Sequence, residues 1–259
     1  MAATQRSASP TLAMQRQRHL PASAAFDWLE AGWRDLTVRP GPSLAYGFLV
    51  FFVSLIIVGG LYAFDLDYIL FPALAGFMVV GPILAIGLYQ KSRDIEAGIP
   101  VRLGRMLFVE PASGGQVWFT GAILSLLMLV WIRAAVIIYA LFFGLRPFPG
   151  LDHIASMLFT TPVGWAMLLV GGVAGGVFAA FAFAISAFSV PMLLDEKTDA
   201  FTAMGTSISL VWNNLSVMLA WGAIVLCLFL LSLAMGLCGL IIVFPLLGHA
   251  TWHGYKAIR

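Results

Sequence analysis

Charge is what this sequence has least of. Of its 259 residues only 10% are charged, where a soluble domain carries about a quarter. With 61% hydrophobic residues, the chain cannot cover a water-facing surface. Cysteine is almost absent too: Cys227 and Cys238 both lie in apolar stretches and form no CxxC or Cys/His cluster, which excludes a disulfide framework and a zinc site. They read as small core residues. Runs such as 219–235 lack the period-two alternation of barrel strands, so a closed barrel is excluded and helices remain. No Ser/His/Asp set, phosphate-cradling glycine loop or zinc spacing occurs, so no catalytic residues are expected and the protein does not read as an enzyme. A formal net charge of +2 is too small to indicate a nucleic-acid partner.

What is present is a series of apolar runs of about the 20 residues needed to cross a hydrocarbon core. They fall at 44–64, 69–89, 117–142, 163–190, 215–235 and 237–251. The expected fold is an all-α, polytopic transmembrane bundle of six spans, with the lipid bilayer as its first partner. Gly236 and Gly239 supply the turn between the last two runs; five spans with a long final helix is the alternative count. Residues 1–24 contain Arg6, Arg16 and Arg18 but no apolar core or cleavage site of a signal peptide. They read as a disordered basic cytoplasmic tail, and 25–259 as a single transmembrane domain.

Positive charge orients the bundle, because Lys and Arg near span ends stay in the cytoplasm. Arg6, Arg16, Arg18, Arg34 and Arg39 precede the first run; Lys91, Arg93, Arg102 and Arg105 separate the second and third; Lys197 follows the fourth; Lys256 and Arg259 close the chain. Arg146 alone lies on the other side, and Arg133 is within the third run. Both termini are therefore expected in the cytoplasm of a bacterial inner membrane. Three segments on the charged side read as interfacial helices. In 26–38, Phe26, Leu29, Trp33 and Leu36 oppose Asp27, Glu30, Arg34 and Asp35; 99–109 and 201–212 are similar.

In register, these segments suggest a threefold repeat of interfacial helix, span and span. Ala31-Gly32, Leu103-Gly104 and Met204-Gly205 occupy equivalent places, and Pro82, Pro191 and Pro245 fall in the second span of each unit. Each proline removes a backbone donor and bends its helix.

Arg133 is the one charge in LMLVWIRAAVIIYAL. It is either a contact for an anion or partner, or a side chain that snorkels to the far interface. His249 and His253, four apart, share a helix face and are weak candidates for a metal or haem. Beside Trp252 and Tyr255 they read rather as part of an aromatic belt, so no metal or cofactor is expected, haem included. Asp195, Glu196 and Asp199 precede the third interfacial segment, which Asp199 or Thr198 would cap. Gly171, Gly172, Gly175, Gly176, Ala179 and Ala180 form stripes at spacings of four, of which Gly172, Gly176 and Ala180 make a helix-packing seam.

The segments AGWRDL, VGPILAIGLY and VPMLLDEKTDAFTAMGTS carry a resemblance. Between about Trp28 and Tyr255 the chain resembles a family of uncharacterised proteobacterial integral membrane proteins known only as a domain of unknown function. Some members bear labels naming cytochrome c oxidase subunit I. That catalytic role would need six histidine ligands buried in about twice as many spans, and this chain has four histidines. The resemblance implies a membrane protein and no more. The functional expectation is a non-enzymatic accessory or assembly component of a membrane complex, contacting a membrane-protein partner or a second copy of itself. The alternative is a small-molecule or lipid carrier built around Arg133.

Overall fold

The computed structural model describes residues 19–144 and 150–259; the first eighteen residues of the expected tail, and Arg146, lie outside them. The described residues form helices and turns, with no strand. In chain order the helices are α1 (Ala24–Thr37), α2 (Pro40–Ala63), α3 (Leu70–Leu84), α4 (Ile86–Glu96), α5 (Leu103–Leu107) and α6 (Gly114–Phe143). They continue as α7 (Leu151–Thr160), α8 (Pro162–Ser186), α9 (Ser189–Asp195), α10 (Ala200–Asn213), α11 (Leu215–Ala234) and α12 (Leu240–Ile258).

Five stretches are long and apolar enough to cross a bilayer: Pro40–Ala63, Asp67–Glu96, Gly114–Phe143, Pro162–Asp195 and Leu215–Ala234. The sixth run forms the first part of α12, which a turn at 235–239 separates from α11. Gly236 and Leu237 take positive φ in that turn, 62° and 69°. The polar second half of α12, with His249, His253 and Lys256, keeps it less apolar than the other five.

Two of the spans are jointed where proline dictates. Pro82 sits in the last turn of α3, and the chain restarts as α4 after Ala85. Between α8 and α9 the chain breaks at Ala187 and Phe188, just ahead of Pro191. Ser207 of α10 closes that break: it accepts from the Phe188 N–H at 3.1 Å and donates to the Ala184 carbonyl at 2.7 Å. One hydroxyl thus bridges the Phe188 N–H and the Ala184 carbonyl, which a continuous helix would have paired with each other. Pro245 lies inside α12.

The largest core lies at the charged end, where α1, α4, α5, α9, α10, the first turns of α11 and the second half of α12 converge around Trp28, Leu88, Phe188, Leu193, Trp221, Trp252 and Tyr255. Close backbone approach makes it compact. A Cβ on Gly32 would meet the Ala250 amide at 2.6 Å, one on Gly47 would strike the Ile241 carbonyl, and one on Gly254 would meet Trp28 at 2.9 Å. His19 and Leu20, within the expected tail, hydrogen-bond to Asn213 and Asn214.

Three expectations are corrected here. Trp252 and Tyr255 are fully buried and not an interfacial belt, because α1 lies along α12 and covers them. The buried face of α1 is Ala25, Trp28, Gly32, Asp35 and Leu36, while Phe26 and Trp33 are exposed. The packed stripe is rotated toward Gly32, the residue that permits contact with Ala250, and it carries Asp35 inside. Cys227 and Cys238 are exposed and not core residues, since α11 and the turn after it present that face outward.

Candidate functional site

A chain of hydrogen-bonded polar side chains runs through the charged-end core. Lys91 Nζ on α4 lies 2.7 Å from Ser43 Oγ on α2. Ser43 Oγ lies 2.9 Å from His249 Nε2 on α12, and His249 Nδ1 lies 2.9 Å from Ser92 Oγ on α4. Beyond Ser92 stands Asp35 on α1, whose carboxyl Ser92 helps to lower and whose Oδ2 is 2.8 Å from His253 Nε2. Lys91, Ser43, Ser92 and His249 are closed to solvent.

Valence fixes the two ends of the chain: the Lys91 ammonium only donates, so Ser43 accepts from it, and a carboxylate only accepts, so His253 donates to Asp35. Between them each ring nitrogen of His249 hydrogen-bonds to a serine hydroxyl, in a sense set by its tautomer. The chain begins at a buried cation and ends at a carboxylate, so the two charges compensate through three neutral groups. Burial alone would raise the Asp35 carboxyl, but hydrogen bonds from His253 and Ser92, with the nearby imidazoles, hold it below the ordinary carboxylate value.

Each bond to a charged member contributes about 1.5–3 kcal/mol, and an orphaned buried charge costs more. The arrangement therefore fastens α1, α2, α4 and α12 together. Both His249 ring nitrogens are engaged by serine hydroxyls, and His253 is engaged by Asp35. Among the described residues no group of three or more His, Cys, Asp or Glu is placed to hold a metal.

Two ion-pair clusters flank this chain. Arg105 grips Asp94 with Nε and NH2, both at 2.8 Å, and Gln90 donates to the same carboxylate at 2.7 Å. Those hydrogen bonds to Asp94 raise the Arg105 guanidinium. Asp195 and Glu196 meet Lys256, Arg259 and the Tyr255 hydroxyl at the end of α12. Burial, then the bond to Glu196, pushes the Tyr255 phenol up. Asp199 caps α10 by accepting from the Thr202 N–H at 2.9 Å, and the Thr202 bonds hold its carboxyl below the usual range.

Arg133 is exposed on α6. It stands 19 residues into the helix, about 28 Å from its start, and has no partner among the described residues. Gly171 and Gly175 face α6, with Trp131 2.8 Å from where a Cβ on Gly175 would be. Gly172 and Gly176 have nothing within 4 Å of that position, and Ala180 continues their exposed line. Arg133, the histidines and the glycine line are thus three separate places.

Sequence reasoning singled out His249 and His253 but missed Asp35, Ser43, Lys91 and Ser92. Lys91 and Ser92 lie in a polar stretch, QKSRD, that looks solvated. Their partners are 48 and 157 residues away, and no local pattern marks them as buried.

No curated protein and no solved structure matches the chain. Over residues 70–195, from the start of α3 to the end of α9, it matches the uncharacterised family described as "Predicted integral membrane protein (DUF2189)".

Proposed function

We propose that this integral membrane protein is a non-enzymatic accessory or assembly component of a membrane complex, and that it binds its partner through the Gly172, Gly176 and Ala180 face of α8. The exposed glycine line carries the reading. A glycine in a helix interior costs about 1 kcal/mol relative to alanine, and none of the described residues comes within 4 Å of where a Cβ on Gly172 or Gly176 would be. Exposed Leu169, Val173 and Val177 flank the line, and small residues among aliphatic ones let a second transmembrane backbone approach closely. The sealed condition of the Ser43, Lys91 and His249 chain supports a role without catalysis.

The same reading places the protein in a bacterial inner membrane with both termini cytoplasmic, as the clustering of Lys and Arg at one end favours. It takes α12 as a sixth span and the chain as three units: α1 to α4, α5 to α9 and α10 to α12. The contacts support that division. α4 packs on α5, α9 on α10, and α12 on α1, so the second span of each unit meets the interfacial helix of the next and the last returns to the first.

Gentle-detergent purification from native membranes, comparing the natural chain with a Gly172→Leu/Gly176→Leu variant, tests the seam. We expect a partner at near-equal amount with the natural chain and its loss from the variant, with the helical content and melting temperature unchanged. A partner held equally by both removes the seam from the proposal. The second reading, a small-molecule or lipid carrier, draws on the exposed and unpaired Arg133. Uptake by vesicles containing an Arg133→Leu variant decides it, because undiminished transport leaves that reading without its residue.

A further inference from the structure

The three interfacial helices at the charged end differ in charge. All three expose apolar side chains: Phe26 and Trp33 on α1, Leu103 and Leu107 on α5, Phe201 and Trp212 on α10. Side chains of that kind seat a helix at headgroup depth. α1 carries Asp27, Glu30 and Asp35 against Arg34, and α10 carries no charged residue. Segment 99–109, which contains α5, carries Arg102 and Arg105 and no carboxylate. It joins the end of one long span, Asp67–Glu96, to the start of the next, Gly114–Phe143, so both its ends are held at the membrane surface.

Two further arginines come to this segment from elsewhere in the chain. Arg39, between α1 and α2, donates through NH1 to the Val101 carbonyl at 3.3 Å. Arg93 of α4 lines a cavity of about 280 Å³ together with Gly104, Arg105 and Phe108, and its NH1 donates to the Leu194 carbonyl. A carbonyl is neutral, so neither bond compensates the guanidinium charge. Arg102 is exposed, and its side chain makes no hydrogen bond or ion pair among the described residues. Asp94, gripped by Arg105, and Glu110, on the cavity wall, are the carboxylates of the same patch. Four arginines therefore stand against two carboxylates, and the patch is positive. Elsewhere at this end Lys197 lies among Asp195, Glu196 and Asp199 in sequence, and Lys256 and Arg259 are paired with Asp195 and Glu196.

We infer that this patch binds the headgroup of an anionic phospholipid in the leaflet at the charged end, with Arg39, Arg93 and Arg102 supplying the charge. Complementarity gives the class of ligand: each Lys or Arg beside an anionic leaflet contributes about 1 kcal/mol, whereas a zwitterionic headgroup brings its own cation and gains little. The neighbours of the arginines give the source of the phosphate. Phe108 is 83% exposed, with Leu103 and Leu107 exposed near it in the same segment, apolar surface that a soluble phosphate leaves wet and a lipid covers. The patch lies apart from the α8 seam, and its test does not depend on that seam.

Native mass spectrometry on the full-length protein in detergent, titrated with phosphatidylglycerol or phosphatidylcholine and challenged with inorganic phosphate, tests the assignment. Phosphatidylglycerol should bind at least about fivefold more tightly than phosphatidylcholine, and inorganic phosphate should not displace it. Arg102→Gln should weaken phosphatidylglycerol binding about fivefold, the ratio equivalent to about 1 kcal/mol. Its melting temperature should be that of the natural chain, because the Arg102 side chain ties nothing in the fold together. Arg39→Gln/Arg102→Gln should weaken binding about twenty-five-fold, and Glu110→Gln should tighten it by removing an opposing charge. Arg34→Gln on α1 is the control: it removes the same charge from the same end of the molecule and should leave binding as it is. Equal retention of the two lipids would mean that charge does not select the ligand, displacement by inorganic phosphate that no lipid is needed, and equal loss in the Arg34 and Arg102 variants that the attraction is spread over the whole end. Any of the three overturns the inference.

Discussion

The two ends of this molecule's spans are built on opposite principles. At the charged end, aromatic side chains, a lysine and a histidine are all sealed from solvent, and glycines let helix backbones touch. Through the bilayer, none of the most apolar window of Gly114–Phe143 is buried within the chain, and only 11% of that of Pro162–Asp195. Water penalises exposed apolar surface, and lipid does not. Helices held together by burial at one end are therefore free to present their apolar faces to lipid or to another protein along the rest. The charged end fixes the fold, and the spans provide surface.

The sharpest way to break that contrast is to cut the polar chain that ties the charged end. Lys91→Met leaves Asp35 and the oriented serine and histidine groups without their cation, and should destabilise the protein by about 3–5 kcal/mol. Thermal unfolding in detergent, followed by circular dichroism, measures it. The double variant Lys91→Met/Asp35→Leu should recover most of the loss, because removing both charges leaves no uncompensated ion and His253 keeps access to water.

The contrast also sets two glycines against each other. Gly32→Ala drives a methyl into the Ala250 amide and should cost about 1–3 kcal/mol, the usual penalty of overpacking. Gly172→Ala places its methyl in open space and should be neutral or stabilising by up to about 1 kcal/mol, since alanine is the better helix former. Melting temperatures measured side by side, without a partner, should fall for Gly32→Ala and hold or rise for Gly172→Ala. A similar loss at both would mean that the α8 line is already packed within the chain.

Much of this contrast was legible in the sequence, and the illegible part has a physical cause. The five long spans follow from the apolar runs, because lipid demands about twenty apolar residues whatever the neighbours are. The Asp199 cap was legible for the same local reason, its partner being three residues away. The face of α1 was not. Phe26, Leu29, Trp33 and Leu36 make an apolar stripe, but the stripe that packs is chosen by Gly32 meeting Ala250 and by Asp35 meeting His253, 218 residues distant. The candidate site divides likewise. Gly172 and Gly176 announce themselves by spacing, whereas Ser43, Ser92 and Lys91 look like ordinary interfacial residues until α2, α4 and α12 bring them together. Ser207 is the clearest case: nothing marks it locally, yet it closes the break between α8 and α9.

The smallest expected effect sharpens the comparison from the solution side. Asp35 is held below its ordinary value by His253 and Ser92, despite burial acting the other way. A carboxyl depressed by folding stabilises the native state above its unfolded value of 3.8, and that contribution disappears as pH falls from there through the folded value. The melting temperature should thus be insensitive to Asp35 near neutrality and fall more steeply below about pH 4 in the natural chain than in Asp35→Asn. The difference is modest because the pair is only partly enclosed, with side-chain exposures of 10% for Asp35 and 24% for His253. α6 and α8 carry no carboxylates, so acid should loosen the charged end first. Amide exchange at pH 4 should accelerate in α1 and the second half of α12 before it does in α6 or α8; simultaneous loss of protection in all four would mean that the two regions unfold as one.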